Sequence, residues 1–289
     1  MKIPPALRPL LDDGIVDAVL RQLKSGKEAA VYVVRCGGEE RCAKVYKDIG
    51  QRSFQNVAAY QEGRKSRGSR DSRAMSRRSR HGRSVQHAQW KSAESDALYA
   101  LAAAGVRVPR SYGLFDGVLL MEMIRDADGD PAPRLNQVEF DAEQAREWHA
   151  FMVRQVVLML CAGLIHGDLS EYNVLVDESG PVIIDLPQVV SAAGNSNAFA
   201  MLERDLANMR ATFGAQAPEL LDTDYAYEIW TRYENASLRP DTPLSGQVRR
   251  SQQRANVGAV LGEIEDARLT AEARERGRVE AERERGERD

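Results

Sequence analysis

Apolar positions along the chain change period several times, and each change marks an element. Residues 29–35 and 41–46 are rich in Val and Tyr and meet through Gly37 and Gly38, which predicts the two strands of a hairpin. Just before them, Val16, Val19, Leu20 and Leu23 have helical spacing, but a run this short before a turn opens a strand equally well. Residues 89–104 predict a helix ending at Gly105, after which Val106, Val108 and Pro109 return the chain to extended structure. Residues 117–124 form an apolar strand. Residues 141–163 predict a long helix whose face carries Phe151, Val153, Val156, Val157 and Leu160. Two short apolar strands follow, 173–176 and 182–184, around a turn at 177–181, and beyond Ala192 the pattern is mostly helical.

Where the periodicity fails, the chain divides. Residues 1–14 carry three prolines and are expected to be an arm. Residues 51–87 are Arg, Ser and Gly with few large apolar side chains, and they predict a mobile insertion in a first lobe spanning 15–124. A second lobe is expected over 125–245. In the tail, 246–289, residues 263–289 pair charges four apart, as Glu272 with Arg276, but lack an apolar stripe; a solvated helix or disorder is expected there.

Composition narrows the class. With 289 residues, 43% hydrophobic and 29% charged, the chain can bury a sizeable core, and a formal net charge of −3 gives no general case for a polyanionic partner. The exception is local, because residues 64–83 hold nine Lys or Arg against the single acid Asp71. Cys36, Cys42 and Cys161 lack zinc-ligand spacing and are expected to be structural. No apolar run approaches a membrane span, the longest, 156–165, being taken as a buried helix. Neither a membrane nor a leader is expected, and a cytoplasmic setting is the default.

The chemistry concentrates in four places. In His166-Gly167-Asp168-Leu169-Ser170-Glu171-Tyr172-Asn173, an aspartate precedes an asparagine by five positions. That spacing serves phosphoryl transfer, the carboxylate orienting an attacking hydroxyl and the amide oxygen binding a metal, although a polar turn capped by the aspartate fits as well. Val182-Ile183-Ile184-Asp185 is an apolar strand ending in a carboxylate, placed to share that metal with Asn173. Lys44 is a charge inside an apolar strand and needs an anionic partner; Glu94 on the 89–104 helix is the candidate. The turn Ser25-Gly26-Lys27-Glu28-Ala29-Ala30-Val31-Tyr32 lacks P-loop spacing, yet its N–H groups with Ser25 or Lys27 can cover phosphates, and it is equally a plain hairpin turn.

Taken in order, these segments resemble the RIO family of atypical serine/threonine kinases. The resemblance rests on Ser-Gly-Lys-Glu-Ala at 25–29, Ala-Lys-Val-Tyr-Lys at 43–47, Met-Glu-Met-Ile at 121–124 and Pro-Ala-Pro-Arg-Leu at 131–135. Ile-His-Gly-Asp-Leu-Ser-Glu-Tyr-Asn at 165–173 and Ile-Ile-Asp-Leu-Pro-Gln at 183–188 complete it. It implies an α+β, two-lobed protein-kinase-like fold, with an N-terminal sheet and one helix, a reduced helical C-terminal lobe, and no activation segment. It implies ATP with Mg2+ or Mn2+ as cofactors, and phosphorylation of serine on proteins or on the chain itself, with ATPase activity through an aspartyl phosphate on Asp185. Asp168 and Asp185 become the catalytic candidates and Asn173 and Asp185 the metal ligands. Ser25, Lys27, Glu28, Val31, Lys44 and Glu94 line the nucleotide, Met121 guards the adenine pocket, and the backbones of Glu122 and Ile124 bond the base. Pro187 follows one branch of the family and the 25–29 turn another, which predicts a separate, bacterial-type branch.

Two rivals stand beside this reading. A small-molecule kinase of the aminoglycoside type shares His-Gly-Asp-Leu and a later Asn, but needs a larger helical second lobe. A ribosome- or RNA-associated ATPase switch would use residues 64–83 to contact phosphates.

Overall fold

The turn at Gly37 and Gly38, both at positive φ (60° and 87°), closes the central hairpin of a five-stranded antiparallel sheet. Its strands are β1 (Ala18–Ser25), β2 (Ala29–Cys36), β3 (Glu39–Tyr46), β4 (Ser111–Phe115) and β5 (Val118–Glu122), in the order β1-β2-β3-β5-β4. The computed structural model describes residues 3–26, 28–47 and 80–247, without the side chains of 80–91. Lys27, most of the 51–87 insertion, residues 64–79 of the basic segment, and the tail from 248 lie outside the described residues.

Strand alternation sorts the sheet into two faces. Ala43 and Val45 of β3 pack behind, with Val34, Cys36, Val118 and Leu120. Against that back face sits α1 (Arg8–Asp12), whose Leu10, with Leu7 from the 3-10 turn before it, is fully buried. The expected arm therefore contributes core. Cys42, Lys44 and Tyr46 point the other way, over α2 (Arg80–Ala103) and the second lobe. On α2, Glu94, Ala97, Leu98 and Leu101 share one buried face at helical spacing.

The second lobe is built on α3 (Ala142–Cys161), opened by a reciprocal capping box: Asp141 accepts the Gln144 N–H at 2.9 Å while Gln144 accepts the Asp141 N–H at 3.3 Å. Met152, Val153, Val156, Val157 and Leu160 of α3 enter the main core with Phe213 and Ile229. After α3 come β6 (Leu164–Ile165), the hairpin β7 (Val174–Asp177) and β8 (Gly180–Ile183), β9 (Val190–Ser191), α4 (Ala198–Gly214) and α5 (Ala226–Glu234).

Several expectations need amending. Of the ambiguous run, Val19, Leu20 and Leu23 lie on strand β1, and Val16 precedes it in the back-face core. α2 starts at Arg80, inside the segment expected to be mobile; residues 80–88 carry no apolar stripe, and a helix already nucleated extends by one hydrogen bond per residue. β4 went unpredicted because its five residues include Gly113. The apolar run 156–165 is not one helix, since Gly163 at φ 75° turns the chain into β6. Cys36 and Cys42 are buried, but Cys161 is exposed and so not a core residue. The tripeptide Ala217-Pro218-Glu219 follows Asp185, so the letters of an ordinary kinase's Ala-Pro-Glu motif are present. It lies after α4, at the start of a 3-10 turn, with Glu219 bound to Arg146 of α3 at 2.5 Å; only residues 186–197 separate Asp185 from α4.

Candidate active site

On the sheet side, Lys44 sits on the cleft face of β3 and is 8% exposed, too buried to remain charged without partners. Two are present: Lys44 Nζ donates to Glu94 Oε1 at 2.7 Å and to Asp185 Oδ1 at 2.8 Å. Burial alone would lower the Lys44 pKa, but the two carboxylates outweigh it and hold the amine above its ordinary value. The second oxygen of Glu94 accepts the Tyr46 hydroxyl at 2.6 Å, so this buried carboxylate is satisfied from both sides. Sequence reasoning missed Tyr46, although it lies two residues from Lys44 and therefore on the same face.

On the loop side, β8 ends at Ile183, the Ile184 N–H extends the ladder to the Asn173 carbonyl at 2.9 Å, and the backbone turns at Asp185 with φ 65°. Such a left-handed aspartate costs about 1 kcal/mol and frees the carboxylate from the strand direction. Burial pushes Asp185 up, yet the Lys44 amine prevails and its carboxyl sits below the ordinary value. Its side chain is still 44% exposed. Asn173 uses its Nδ2 on the Asp168 carbonyl at 2.9 Å and, more weakly, on Asp168 Oδ2 at 3.4 Å, which makes its amide oxygen the atom available to a cation. Burial raises the Asp168 pKa, and Gln188 Nε2 contacts its Oδ2 at 3.3 Å.

The loop 166–173 is held from beneath. Asp205 on α4 is 1% exposed and accepts the N–H groups of Gly167 (2.8 Å) and Leu169 (2.9 Å). Arg204 bonds the Gly167 carbonyl, and Asn208 donates to the Leu169 carbonyl at 2.8 Å. Burial pushes the Asp205 pKa up to about 6. The signal for Asp205 was in the sequence: a carboxylate among Met201, Leu202, Leu206 and Met209 occupies a core position and needs donors. His166 is buried as well, with Nε2 at 3.1 Å from the Ile184 carbonyl and Nδ1 facing the Asp168 N–H at 3.2 Å, which ties the loop to Asp185.

Above the cleft, Lys47 clamps the β1–β2 turn by donating to Ser25 Oγ at 2.8 Å and to the Gly26 carbonyl at 2.6 Å. Glu28 is half-buried; burial first, then the Asp185 carboxylate, push its pKa up. Val31 and Met121 are partly buried with Leu20 and Leu23 around Val33, Cys42 and Met123, an apolar roof on the cleft side of the sheet. Beyond Met121, Glu122 donates its N–H to the Arg110 carbonyl at 2.9 Å, and the Ile124 carbonyl accepts the Ala132 N–H at 2.9 Å. The Arg110 N–H turns to the Glu122 side chain at 3.0 Å. The Glu122 N–H and the Ile124 carbonyl are thus committed to backbone partners on either side of that turn.

The chain thus brings a buried Lys–Glu pair, a strand-end aspartate and an Asp-x4-Asn loop around one cleft, and a RIO domain profile matches residues 30–226. The chain belongs to the RIO family. The RIO-type serine/threonine-protein kinase Rio1 of Haloferax volcanii is 34% identical over 78% of this chain and 73% of its own length. Human serine/threonine-protein kinase RIO1 is 28% identical over 85% of this chain, but the match spans only 42% of the human protein. Among solved structures, the Rio2 kinase–ADP/Mg2+–phosphoaspartate complex from Chaetomium thermophilum superposes with a TM-score of 0.51 at 22% identity, covering 73% of this chain and 59% of that one. This likeness fixes the two-lobed kinase fold.

The RIO domain's donor set can be tested against a nucleotide–metal pair. Asn173 and Asp185 offer hard oxygen ligands, which suit Mg2+, and two protein oxygens are the number that leaves room for water and phosphate. Among the described residues no group of three His, Cys, Asp or Glu forms an all-protein metal cage. No described helix is long and apolar enough to cross a membrane.

Proposed function

We propose that this chain is an ATP- and Mg2+-dependent serine/threonine protein kinase that acts on protein serines, its own included. The observation that carries the reading is the bridge of Lys44 between Glu94 and Asp185, at 2.7 and 2.8 Å. An amine held charged at the mouth of a cleft neutralises triphosphate, and Glu94 keeps it aimed. The apolar roof of Val31 and Met121 would cover the adenine, with the Glu122 carbonyl and the Ile124 N–H at its edge. Ser25 and the turn N–H groups would lie over the phosphates. Asn173 and Asp185 would hold Mg2+, which when bound neutralises charge on the phosphates; Mn2+ accepts the same oxygen donors. Asp168, with its pKa raised toward the working range, orients the acceptor hydroxyl and takes its proton. The aminoglycoside-type alternative loses support because the described chain beyond Asp185 supplies two α-helices, α4 and α5, and no further lobe.

The test is transfer of label from ATP to protein by wild type and Asp168→Asn. Acid-stable label on serine in wild type alone supports the kinase reading, and no transfer by a folded wild type to itself or to protein panels rejects it. A second reading, ATP hydrolysis through a phosphoaspartate, is favoured by the open Asp185 carboxylate and by the phosphoaspartate in the Chaetomium Rio2 complex. Label released by hydroxylamine identifies that route.

A further inference from the structure

Arg107 lies in the loop between α2 and β4 and touches none of the groups assigned above. Most of its bonds lead to the β7–β8 hairpin, which lies between Asn173 and Asp185 in the chain. The Arg107 N–H donates to Gln155 Oε1 on α3 at 2.7 Å, and its carbonyl accepts the Ile183 N–H on β8 at 2.9 Å. Its guanidinium meets both oxygens of Asp177, at 2.7 and 2.6 Å, and the carbonyls of Gly180 (2.8 Å) and Pro181 (3.3 Å). Asp177 and Gly180 flank the turn of the β7–β8 hairpin.

That hairpin delivers the metal-binding pair, with Asn173 immediately before β7 and Asp185 two residues beyond β8. A two-stranded ribbon has little rigidity of its own, so its place is set by what it is tied to. Lys44 ties it to α2 at the cleft, through Asp185 and Glu94. Arg107, four residues past the end of α2 at Ala103, ties it to the same helix from behind.

We propose that Arg107 is a positioning residue for the metal-binding pair: by gripping the turn and one strand of the hairpin, it fixes Asn173 and Asp185 against the helix that carries Glu94. This rests on the nucleotide reading above. A fork of charge-assisted bonds to one carboxylate and two carbonyls is a geometry that Lys, with a single ammonium, reproduces only in part.

Three variants decide it: Arg107→Met, Arg107→Lys and Asp177→Asn, the last keeping the acceptor that the Ser179 N–H uses at 2.7 Å. Two measurements are made, hydrogen exchange of residues 174–186 without nucleotide, and binding of a fluorescent ADP analogue with and without Mg2+. In Arg107→Met, exchange in 174–186 rises, and Mg2+-dependent affinity falls about tenfold, the lower end of what partners behind metal ligands command. Affinity without Mg2+ stays near wild type, because the clasp acts through the metal-binding pair. Arg107→Lys recovers part of the loss, and Asp177→Asn shows the same pattern more weakly. The idea is overturned if the folded variants keep wild-type Mg2+ dependence, or if they lose affinity equally with and without Mg2+. Should Arg107→Met not fold, Asp177→Asn decides alone by the same criteria. A wild type that binds no nucleotide sinks the functional reading instead, while the exchange measurement still judges the clasp.

Discussion

The two sides of the cleft solve opposite problems. On the sheet side, charge is buried and closed upon itself: Lys44 and Glu94 are 8% and 2% exposed, and Tyr46 takes the last carboxylate oxygen. On the loop side, charge is left open. Asp185 keeps a 44% exposed side chain, Asp168 is only partly buried, and rigidity comes from backbone groups clamped by Asp205 and Asn208. The closed side is expected to govern stability and nucleotide placement, and the open side turnover, because Asp168 and Asp185 keep lone pairs to offer an acceptor hydroxyl or a cation.

The largest effect belongs to the open side. Asp168→Asn keeps size and polarity but removes the proton acceptor, and turnover falls by roughly 10²- to 10⁴-fold, the usual worth of a general base. Nucleotide affinity and melting temperature stay near wild type. A comparable loss in affinity would show that Asp168 belongs with the closed side.

Lys44→Met is the converse experiment. It leaves Glu94 buried opposite Asp185 with no cation between them, and breaking a buried pair in this way costs on the order of 3–5 kcal/mol. A denaturant titration should show that loss. An unchanged midpoint would mean that the closed side is not a stability element.

How far this division was legible in the sequence follows from where the partners lie. Lys44 stood out because a period of two places it on the inner face between Cys42 and Tyr46, and Asp168, Asn173 and Asp185 stood out because their spacing is local. Tyr46 and Asp205 were passed over although each carried a local signal, a shared face with Lys44 and a carboxylate at a core position, because the partners that give them a role come from elsewhere, Glu94 in one case and the 167–169 backbone in the other. Arg107 is the extreme case, for its partner Asp177 is 70 residues away. Among the elements, the sheet core was readable, whereas β4 and the first turns of α2 depend on neighbours rather than on apolar rhythm.

A control away from the cleft sharpens the comparison. His149 on α3 is 3% exposed between Phe213 and Tyr225, and burial, then Arg210, pull its pKa down to about 4. The unfolded chain binds this proton near pH 6.5 and the folded chain does not. Its stabilising contribution is therefore complete above about pH 6.5 and is lost as pH falls through 4, by roughly 3 kcal/mol. His149→Phe should flatten the acid limb of a stability–pH profile without changing nucleotide affinity. An unaltered acid limb would remove His149 from that role.

The smallest effect tests the closed side most finely. Tyr46→Phe removes one oxygen and keeps the ring, so packing in the core is preserved while Glu94 Oε2 loses the donor it had at 2.6 Å. A buried acceptor left without its bond costs about 1–3 kcal/mol. The Glu94 carboxylate is then free to rotate, and Lys44, still drawn at 2.8 Å by Asp185, leans toward the loop side. The apparent KM for ATP should rise about threefold, the equivalent of roughly 0.7 kcal/mol, with kcat nearly unchanged. If kcat falls instead while KM holds, the hydroxyl acts on the transferring group rather than on the aim of Lys44, and the division between a closed sheet side and an open loop side fails at its own centre.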